Sequence, residues 1–329
     1  MALIKSIQLS ILFLFAALNS KAQDSFNEPV LPKYEYKSAS EIIEIIPYND
    51  SVSRYFVYSN HLYDERWDTL AQPNFWRQIM HLSPDSCIIN VASTRQILSV
   101  ESFKDWQKKS DQEKTDYRDS MRWCYGLDSL ERIFVTHGQN HFYNFENVFP
   151  SVSRGVEVFN DLGVDPFYAQ AILLIESPNK LQYSKNGAYG SFQLMKTVAR
   201  KHGLRVDKYV DERTDFDKSA FAAASLLSKV CIPEAKRILA KYNLTYNETD
   251  LWFRLFVMHI YHAGAGNVNG VLGEIQPTEG GMNLIRSMWL TEWGGFKNSS
   301  QNYTQLALAS ILTLNDLIYH KCDYLFECK

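Results

Sequence analysis

The sequence lacks the signatures of several classes of protein. It contains neither a C-x-x-C nor an H-E-x-x-H motif, so the usual spacings of zinc ligands are absent and no cofactor is expected. It has no apolar run of about 18 residues, the length that a membrane-spanning helix requires. The formal net charge is only −3, which gives no electrostatic case for nucleic-acid binding. No internal repeat is present, and the 329 residues suffice for one large or two modest domains.

The N-terminus has the pattern of a secretory signal peptide. Lys5 supplies the positive charge, residues 7–18 are mainly apolar, and Ser20-Lys21-Ala22 is a small-x-small cleavage site. Cleavage there would remove residues 1–22. We therefore expect an exported protein that is periplasmic or secreted.

Cysteine is scarce: the chain has five, all beyond the predicted signal peptide. An odd number in an exported protein leaves at least one thiol free or paired between molecules. Two pairings are open from the sequence. Cys322 and Cys328 flank a short C-terminal segment, and Cys87 with Cys124 is another candidate bridge.

Composition and turn residues divide the mature chain into an extension and a helical domain. Residues 23–147 form the N-terminal extension, which we expect to be mainly helical, with a solvated helix in the charged segment 105–123. Residues 148–320 have the pattern of successive helices, and residues 321–329 form a C-terminal tail. Strand signals are sparse, so the predicted fold class is all-α.

Glycine, proline and capping residues predict the helix boundaries of the domain. Ser153 is expected to cap a helix that Gly163 ends. Pro166 begins the next helix, which delivers Glu176 at its C-terminal end. Further helices are expected at 190–201, at 220–227 with Asp217 or Ser219 as the cap, at 250–264 with Thr249 as the cap, and at 303–319.

Glu176 is the candidate catalytic acid. It ends an apolar stretch, and the sequence has no Asp or Glu from Ser177 to Val206. Burial of a lone carboxyl raises its pKa and keeps it protonated near neutrality, as a proton donor requires. A solvated Glu at a helix end, or one paired with a lysine, is the alternative interpretation of the local sequence.

Four motifs follow one another from this residue. They are E-S at 176–177, S-x-x-G-A-x-G-x-x-Q-x-M at 184–195, D-x-R-x-D at 211–215 and Y-H-A-G-x-G-N-V at 261–268. In this order and spacing they resemble the lytic transglycosylase (SLT) domain of glycoside hydrolase family 23, as found in soluble lytic transglycosylases and in membrane-bound lytic transglycosylase D. The resemblance covers about 148–320 and implies a lysozyme-like helical domain within the α+β lysozyme superfamily.

The resemblance implies roles for individual residues. Glu176 matches the family's single catalytic acid. The residues that would bind the glycan are Ser184, Gly187, Tyr189, Gly190, Gln193, Met195, Tyr261, His262 and Tyr303. The chain departs from the family pattern at His262, where Asn is usual, at Ser299, where Glu is common, and at Val198, where Thr is usual.

The resemblance implies an enzyme, a peptidoglycan lytic transglycosylase that acts on glycan strands. The sequence leaves the oligomeric state open, and a monomer is expected. It would cleave the bond between N-acetylmuramic acid and N-acetylglucosamine and leave a 1,6-anhydro end, with Glu176 acting first as acid and then as base. One carboxyl suffices for this reaction, whereas ordinary glycosidases use two. Two alternatives stay open: a hydrolytic lysozyme or chitinase of the same fold, which needs a second carboxylate or a held water, and a non-catalytic glycan-binding protein.

Two other groups of polar residues have simple structural explanations. Asp211, Arg213 and Asp215 precede a helix and are expected to act as caps and as a local ion pair. His259 and His262 lie three apart on one helical face. No acid ligand stands near them in the sequence, so no metal is expected.

Overall fold

The computed structural model describes residues 33–35, 40–46, 52–176, 183–184 and 186–327. Helices make up 58% of the structure. In chain order they are α1 His61–Asp64, α2 Ala71–His81, α3 Phe103–Lys108, α4 Asp111–Cys124, α5 Phe145–Asp161, α6 Pro166–Glu176, α7 Lys196–Lys201, α8 Phe216–Leu226, α9 Ile232–Ala240, α10 Leu251–Ala263, α11 Ala265–Ile275, α12 Met282–Leu290 and α13 Asn298–Glu327. A π-helical turn, Leu227–Cys231, joins α8 to α9.

The described residues also contain six strands, all in the N-terminal extension. They are β1 Lys33–Glu35, β2 Ser40–Ile45, β3 Arg54–Ser59, β4 Ser86–Val91, β5 Ile97–Ser102 and β6 Ile133–His137. They form two antiparallel sheets, ordered β1-β2-β3 and β5-β4-β6. The prediction of a mainly helical extension misses both sheets, and the label all-α is approximate. Strand β4 is buried at nearly every position, so it lacks the polar–apolar alternation that identifies a strand from sequence.

The helical domain and part of the extension share one hydrophobic core. Phe56 and Val57 of β3 and Met80 of α2 belong to the same buried cluster as α6 and α10. A smaller cluster lies between the sheet β5-β4-β6 and helices α3 and α4, and there Trp106 packs edge-on against Tyr117. Helix α5 spans the predicted boundary between residues 147 and 148, and the division into domains stays a prediction.

Helix α6 crosses the centre of this core. Every residue from Pro166 to Ile175 is buried, as expected of a helix that is apolar on all sides. Pro166 begins the helix, where a missing backbone N–H costs nothing, and Gly163 ends the preceding helix with a φ of +65°, both as predicted. The result is a rigid support whose last residue is Glu176.

Some predicted helix caps are wrong because other partners take their place. Ser153 lies inside α5, where its hydroxyl accepts a hydrogen bond from the Tyr55 backbone N–H of β3 at 2.9 Å. The cap of α8 is Asp215, which accepts from the Lys218 N–H. Other boundaries shift by a few residues: Asp217 and Ser219 lie inside α8, α10 begins after Asp250 instead of Thr249, α7 starts at Lys196 instead of residue 190, and α13 starts at Asn298 instead of residue 303.

The charged segment 105–123 forms two helices instead of one. Ser110 separates α3 from α4 and makes a capping box with Glu113, in which each side chain bonds the other's backbone N–H. Helix α4 has no buried residue, which agrees with the prediction of a solvated helix. None of the helices in the described ranges is both long and apolar enough to cross a membrane.

The cysteines whose side chains are described, Cys87, Cys124 and Cys231, are free thiols. The candidate bridge between Cys87 and Cys124 is therefore wrong: Cys87 is buried in the central strand β4, whereas Cys124 is exposed at the end of α4. Burial raises the pKa of the Cys231 thiol to about 12, which makes it unreactive. The pairing of Cys322 with Cys328 and the predicted signal peptide lie outside the described residues.

Candidate active site

A pocket of about 220 Å³ opens at the C-terminal end of α6. The end of α10 forms another part of its wall, together with the turn that precedes α7. The lining residues are Glu176, Ser184, Asn186, Ala188, Gln193, Leu194, Met195, Val198, Leu226, Tyr261 and His262. Among these described lining residues Glu176 is the one carboxylate, and the sequence from Ser177 to Val206 adds no other.

The environment of Glu176 favours its protonated form. The side chain is only partly exposed, and burial raises the pKa of its carboxyl from 4.5 to about 7. Its place as the last residue of α6 acts in the same direction, because the partial negative charge at a helix C-terminus destabilises a carboxylate. A carboxyl of this kind can donate a proton near neutral pH and then persist as a base.

Three tyrosines lie close enough to Glu176 for its charge to raise their pKa. Burial is the largest cause of the raised pKa of Tyr143, Tyr261 and Tyr303, and the charge of Glu176 adds to it. The buried Tyr303 hydroxyl has no partner of standard hydrogen-bond geometry among the described residues. It nevertheless lowers the pKa of Glu176, against the effect of burial. The two groups therefore lie near each other without a standard hydrogen bond between them.

A tight turn presents Gln193 to the pocket. Gln193 has a φ of +46°, a left-handed conformation that is uncommon outside glycine, and its Nε2 donates to the Gly190 carbonyl at 3.1 Å. Gly190 has a φ of +84°, and a Cβ there would lie 2.1 Å from the backbone carbonyl oxygen of Arg213. Backbone bonds of 3.1 Å in both directions between Tyr189 and Leu194 close the turn.

Arg213 holds this turn from behind. Its side chain is only 4% exposed and forms a two-point ion pair with Asp211, at 2.9 and 2.7 Å. Its Nη1 donates to the carbonyl oxygens of Gly187 and Leu194, both at 2.9 Å. The local ion pair agrees with the prediction, but the two bonds to the turn were not foreseen. Arg213 thus fixes both ends of the segment that carries Gln193.

Tyr261 of α10 supports the same turn. Its hydroxyl donates to the Phe192 carbonyl at 2.7 Å, and its ring lines the pocket beside Glu176. Because Phe192 immediately precedes Gln193, this hydrogen bond helps to fix the position of Gln193 in the pocket. Tyr261 therefore both lines the pocket and braces its turn.

The two histidines of α10 lie in different surroundings. His262 is exposed at the pocket wall, and its ring stacks on Tyr303 with centroids 4.2 Å apart and planes at 21°. Loss of water around its ring lowers the pKa of His262 from 6.5 to about 4, so the imidazole is neutral at pH 7. His259 is buried, and its Nε2 pairs with the Thr304 hydroxyl at 2.9 Å. In the described ranges, no group of three His, Cys, Asp or Glu residues could hold a metal ion.

The structure brings together at the pocket wall the predicted residues Glu176, Ser184, Gln193, Met195, Tyr261 and His262. The remaining predicted residues are not among those that line the pocket. Gly187 and Gly190 both have a φ of +84° and shape the turn. The Tyr189 ring stacks on Tyr183 with centroids 3.9 Å apart. Tyr303 is buried beneath His262.

Sequence reasoning missed several residues of the pocket. Asn186 and Leu194 line it at variable positions of the motif at 184–195, and Ala188 lines it as the fixed alanine of that motif, so the motif could have suggested all three. Leu226 reaches the pocket just before the π-helical turn, a distortion with no sequence signal. Tyr143 comes from the extension, outside every motif, and nothing in the sequence connects it with Glu176.

A comparison with protein families identifies part of this region. Residues 159–277 match the family model described as the transglycosylase SLT domain. The match covers Glu176, the glycine-bounded turn and Tyr261, but not Tyr143 or Tyr303. It supports the lytic transglycosylase family for this part of the chain. No curated protein matches the chain.

The raised pKa of Glu176 predicts a pH-dependent effect on stability. Between pH 4.5 and about 7 the folded protein binds more protons at this site than the unfolded chain does, so stability falls as pH rises through this window. Glu176→Gln removes that loss. We expect the variant to be more stable than the wild type by roughly 2 to 3 kcal/mol at pH 8 and nearly equal at pH 4.5.

Urea unfolding at both pH values measures this difference. The exposed Glu274 provides the control, because Glu274→Gln should change stability equally at the two pH values. A Glu176→Gln variant whose stability difference from the wild type does not depend on pH would contradict the raised pKa.

The buried Arg213 clamp predicts a large loss of stability on truncation. Arg213→Ala leaves two carbonyl oxygens of the turn and the Asp211 carboxylate without their partner, and we expect a loss of about 2 to 4 kcal/mol in thermal or urea unfolding. Arg205→Ala is the matched control, since it breaks an exposed pair with Asp207 and should cost under about 1 kcal/mol. Equal losses in both variants would show that Arg213 does not hold the turn.

Proposed function

We propose that this pocket is the active site of a peptidoglycan lytic transglycosylase. The match to the transglycosylase SLT domain supports a peptidoglycan-cleaving enzyme. One observation carries the proposal of a lytic mechanism with a single acid. The pKa of the Glu176 carboxyl is raised to about 7, and no second carboxylate is found among the described residues that line its pocket. The substrate is the glycan strand, cleaved between N-acetylmuramic acid and N-acetylglucosamine.

In the first step Glu176 acts as an acid. It donates its proton to the glycosidic oxygen, the bond from that oxygen to the anomeric carbon breaks, and N-acetylglucosamine leaves with the proton. The 2-acetamido oxygen of the muramic acid residue stabilises the positive charge at the anomeric carbon, so no protein nucleophile is needed. The raised pKa supplies the protonated form that this step requires.

In the second step Glu176 acts as a base. Its carboxylate accepts the proton of the C6 hydroxyl on the same sugar, and the C6 oxygen attacks the anomeric carbon to close a 1,6-anhydro ring. The attack is intramolecular, which removes the need to hold a water molecule. Glu176 ends the cycle protonated, as it began.

The neutral polar groups of the pocket suit the uncharged hydroxyl and acetamido groups of a glycan strand. Ser184, Gln193 and His262 offer hydroxyl, amide and imidazole groups to its hydroxyl and acetamido groups. Met195, which is 41% exposed, offers an apolar surface to the sugar ring. The N-terminal pattern of residues 1–22 supports export to the compartment where peptidoglycan lies.

Digestion of purified sacculi tests the reaction. We expect soluble muropeptides with 1,6-anhydro ends, each lighter by one water than the product of hydrolysis, as read by mass spectrometry. Reducing ends would instead indicate the hydrolytic alternative. Glu176→Gln should release no product while remaining folded by circular dichroism, and Glu274→Gln should behave like the wild type. Full activity in Glu176→Gln would overturn the assignment of the acid.

The Tyr261 hydroxyl gives a graded test of the same site. Tyr261→Phe removes the hydrogen bond to the Phe192 carbonyl and loosens the turn that presents Gln193. We expect turnover on sacculi to fall by about 5- to 10-fold while the free energy of unfolding falls by only about 1 kcal/mol. Tyr242→Phe, a change on a tyrosine outside the pocket lining, is the control. An unchanged rate in Tyr261→Phe would remove this hydroxyl from the site.

A further inference from the structure

The N-terminal extension binds α13 on either side of Tyr303. Arg95, in the turn between β4 and β5, donates from Nη2 to the Asn302 side-chain oxygen at 2.5 Å. Trp76 of α2 donates from its indole nitrogen to the Gln305 side-chain oxygen at 3.1 Å. Because Asn302 immediately precedes Tyr303 and Gln305 follows it by less than a turn, the two bonds hold the part of α13 that carries Tyr303.

Arg95 occupies an unfavourable position. Its φ is +62°, in the left-handed region that non-glycine residues adopt at a cost of about 1 kcal/mol. The residue is only 6% exposed, and within the described ranges no carboxylate pairs with it. Its guanidinium lies over the rings of Phe75, Trp76 and Phe134, at 5.2, 5.5 and 5.9 Å from their centroids. Burial lowers its pKa to about 10, so it remains charged at neutral pH.

This arrangement directs one buried cation at one acceptor. Aromatic faces stabilise a guanidinium from its flat sides and leave its N–H edge free to donate. The Asn302 oxygen receives that edge, and the Asn302 side-chain nitrogen in turn donates to the Asn298 oxygen at 2.9 Å. The network fixes the first turns of α13 against the extension.

Tyr303 is held from its other side by the pocket. His262 stacks on its ring at 4.2 Å, and its hydroxyl faces Glu176 closely enough to lower the pKa of that carboxyl. The effect of a hydroxyl on a carboxylate depends on the distance and angle between them, so a movement of α13 that displaces the Tyr303 hydroxyl changes this effect. The position of this helix therefore influences the charge state of Glu176.

We propose that Arg95 is a positioning residue for the active site: through Asn302 it fixes Tyr303 beside Glu176. The extension is then part of the catalytic machinery, although it lies outside the matched transglycosylase segment. The effect on turnover rests on the proposed function, whereas the effect on the Glu176 carboxyl does not.

The consequence for the reaction follows from the charge that Tyr303 meets. Its hydroxyl stabilises the carboxylate that forms as Glu176 gives up its proton. When Tyr303 moves away, the carboxylate loses this support, the pKa of Glu176 rises further, and proton donation slows. Ser184, Gln193 and Met195, which are also offered to the sugar, lie in the segment that precedes α7 and not on α13, so kcat falls while KM changes less.

Two substitutions break the brace from its two ends. Arg95→Met keeps the apolar stem among the aromatic rings without a buried charge, and Asn302→Ala removes the acceptor. Arg77→Met is the matched control, because Arg77 of α2 forms an ion pair with Asp316 of the same helix α13, more than three turns beyond Tyr303. It breaks a contact between the extension and α13 that does not border the site.

The pKa of Glu176 is read in the substrate-free protein from the carboxyl carbon resonance during an NMR titration, beside kcat and KM on sacculi. We expect the pKa to rise by about 0.5 to 1 unit and kcat to fall about 3- to 10-fold in Arg95→Met and Asn302→Ala. Arg77→Met should change neither. If Arg95→Met does not fold, Asn302→Ala decides the outcome alone.

The double variant tests the route of the effect. In a Tyr303→Phe background the hydroxyl is already absent, so adding Arg95→Met should change neither the pKa of Glu176 nor kcat any further. Additive effects would show that Arg95 acts by another route, and an unchanged pKa in both single variants would overturn the proposal. If Arg95→Met and Asn302→Ala show the pKa shifts but the wild type releases no anhydro product, the proposed function is overturned and the positioning role remains intact.

Discussion

The other features of the site depend on the burial of the Glu176 carboxyl, which disfavours its charged form. The carboxyl ends a helix whose other side chains are all buried, and it lines a pocket formed by described residues. Burial favours the neutral acid, and the Tyr303 hydroxyl favours the carboxylate. These opposed effects place the pKa of Glu176 near 7, where one group can give a proton and later take one back.

Several contacts around the pocket fix the positions of the polar groups near Glu176. Arg213 and Tyr261 hold the turn that carries Gln193 through hydrogen bonds to its carbonyl oxygens. His262 and the brace from Arg95 hold Tyr303 from two sides. Each of these contacts joins residues that are distant in sequence, and each bears on where a polar group stands relative to Glu176. The site is thus assembled by packing of the whole chain and not by the matched segment alone.

The sequence predicts the parts of this arrangement that depend on local signals. Pro166 and Gly163 mark the helix that delivers Glu176, and the glycines at 187 and 190 mark the turn. Long-range partners are invisible to such signals: Ser153 serves a strand instead of a helix end, and Arg213 bonds a turn more than twenty residues before it. The buried strand β4 was missed because it lacks alternation, and Tyr143 because it belongs to no motif.

The central claim is that Glu176 is a buried acid poised near neutrality, and its pKa in the substrate-free wild type tests this most directly. The carboxyl carbon of Glu176 can be followed by NMR from pH 4 to pH 9 and assigned by its loss in Glu176→Gln. We predict a midpoint close to 7. A midpoint near 4.5, the ordinary value for glutamate, would contradict the account, because the carboxyl would then be charged at neutral pH and could not serve as the acid.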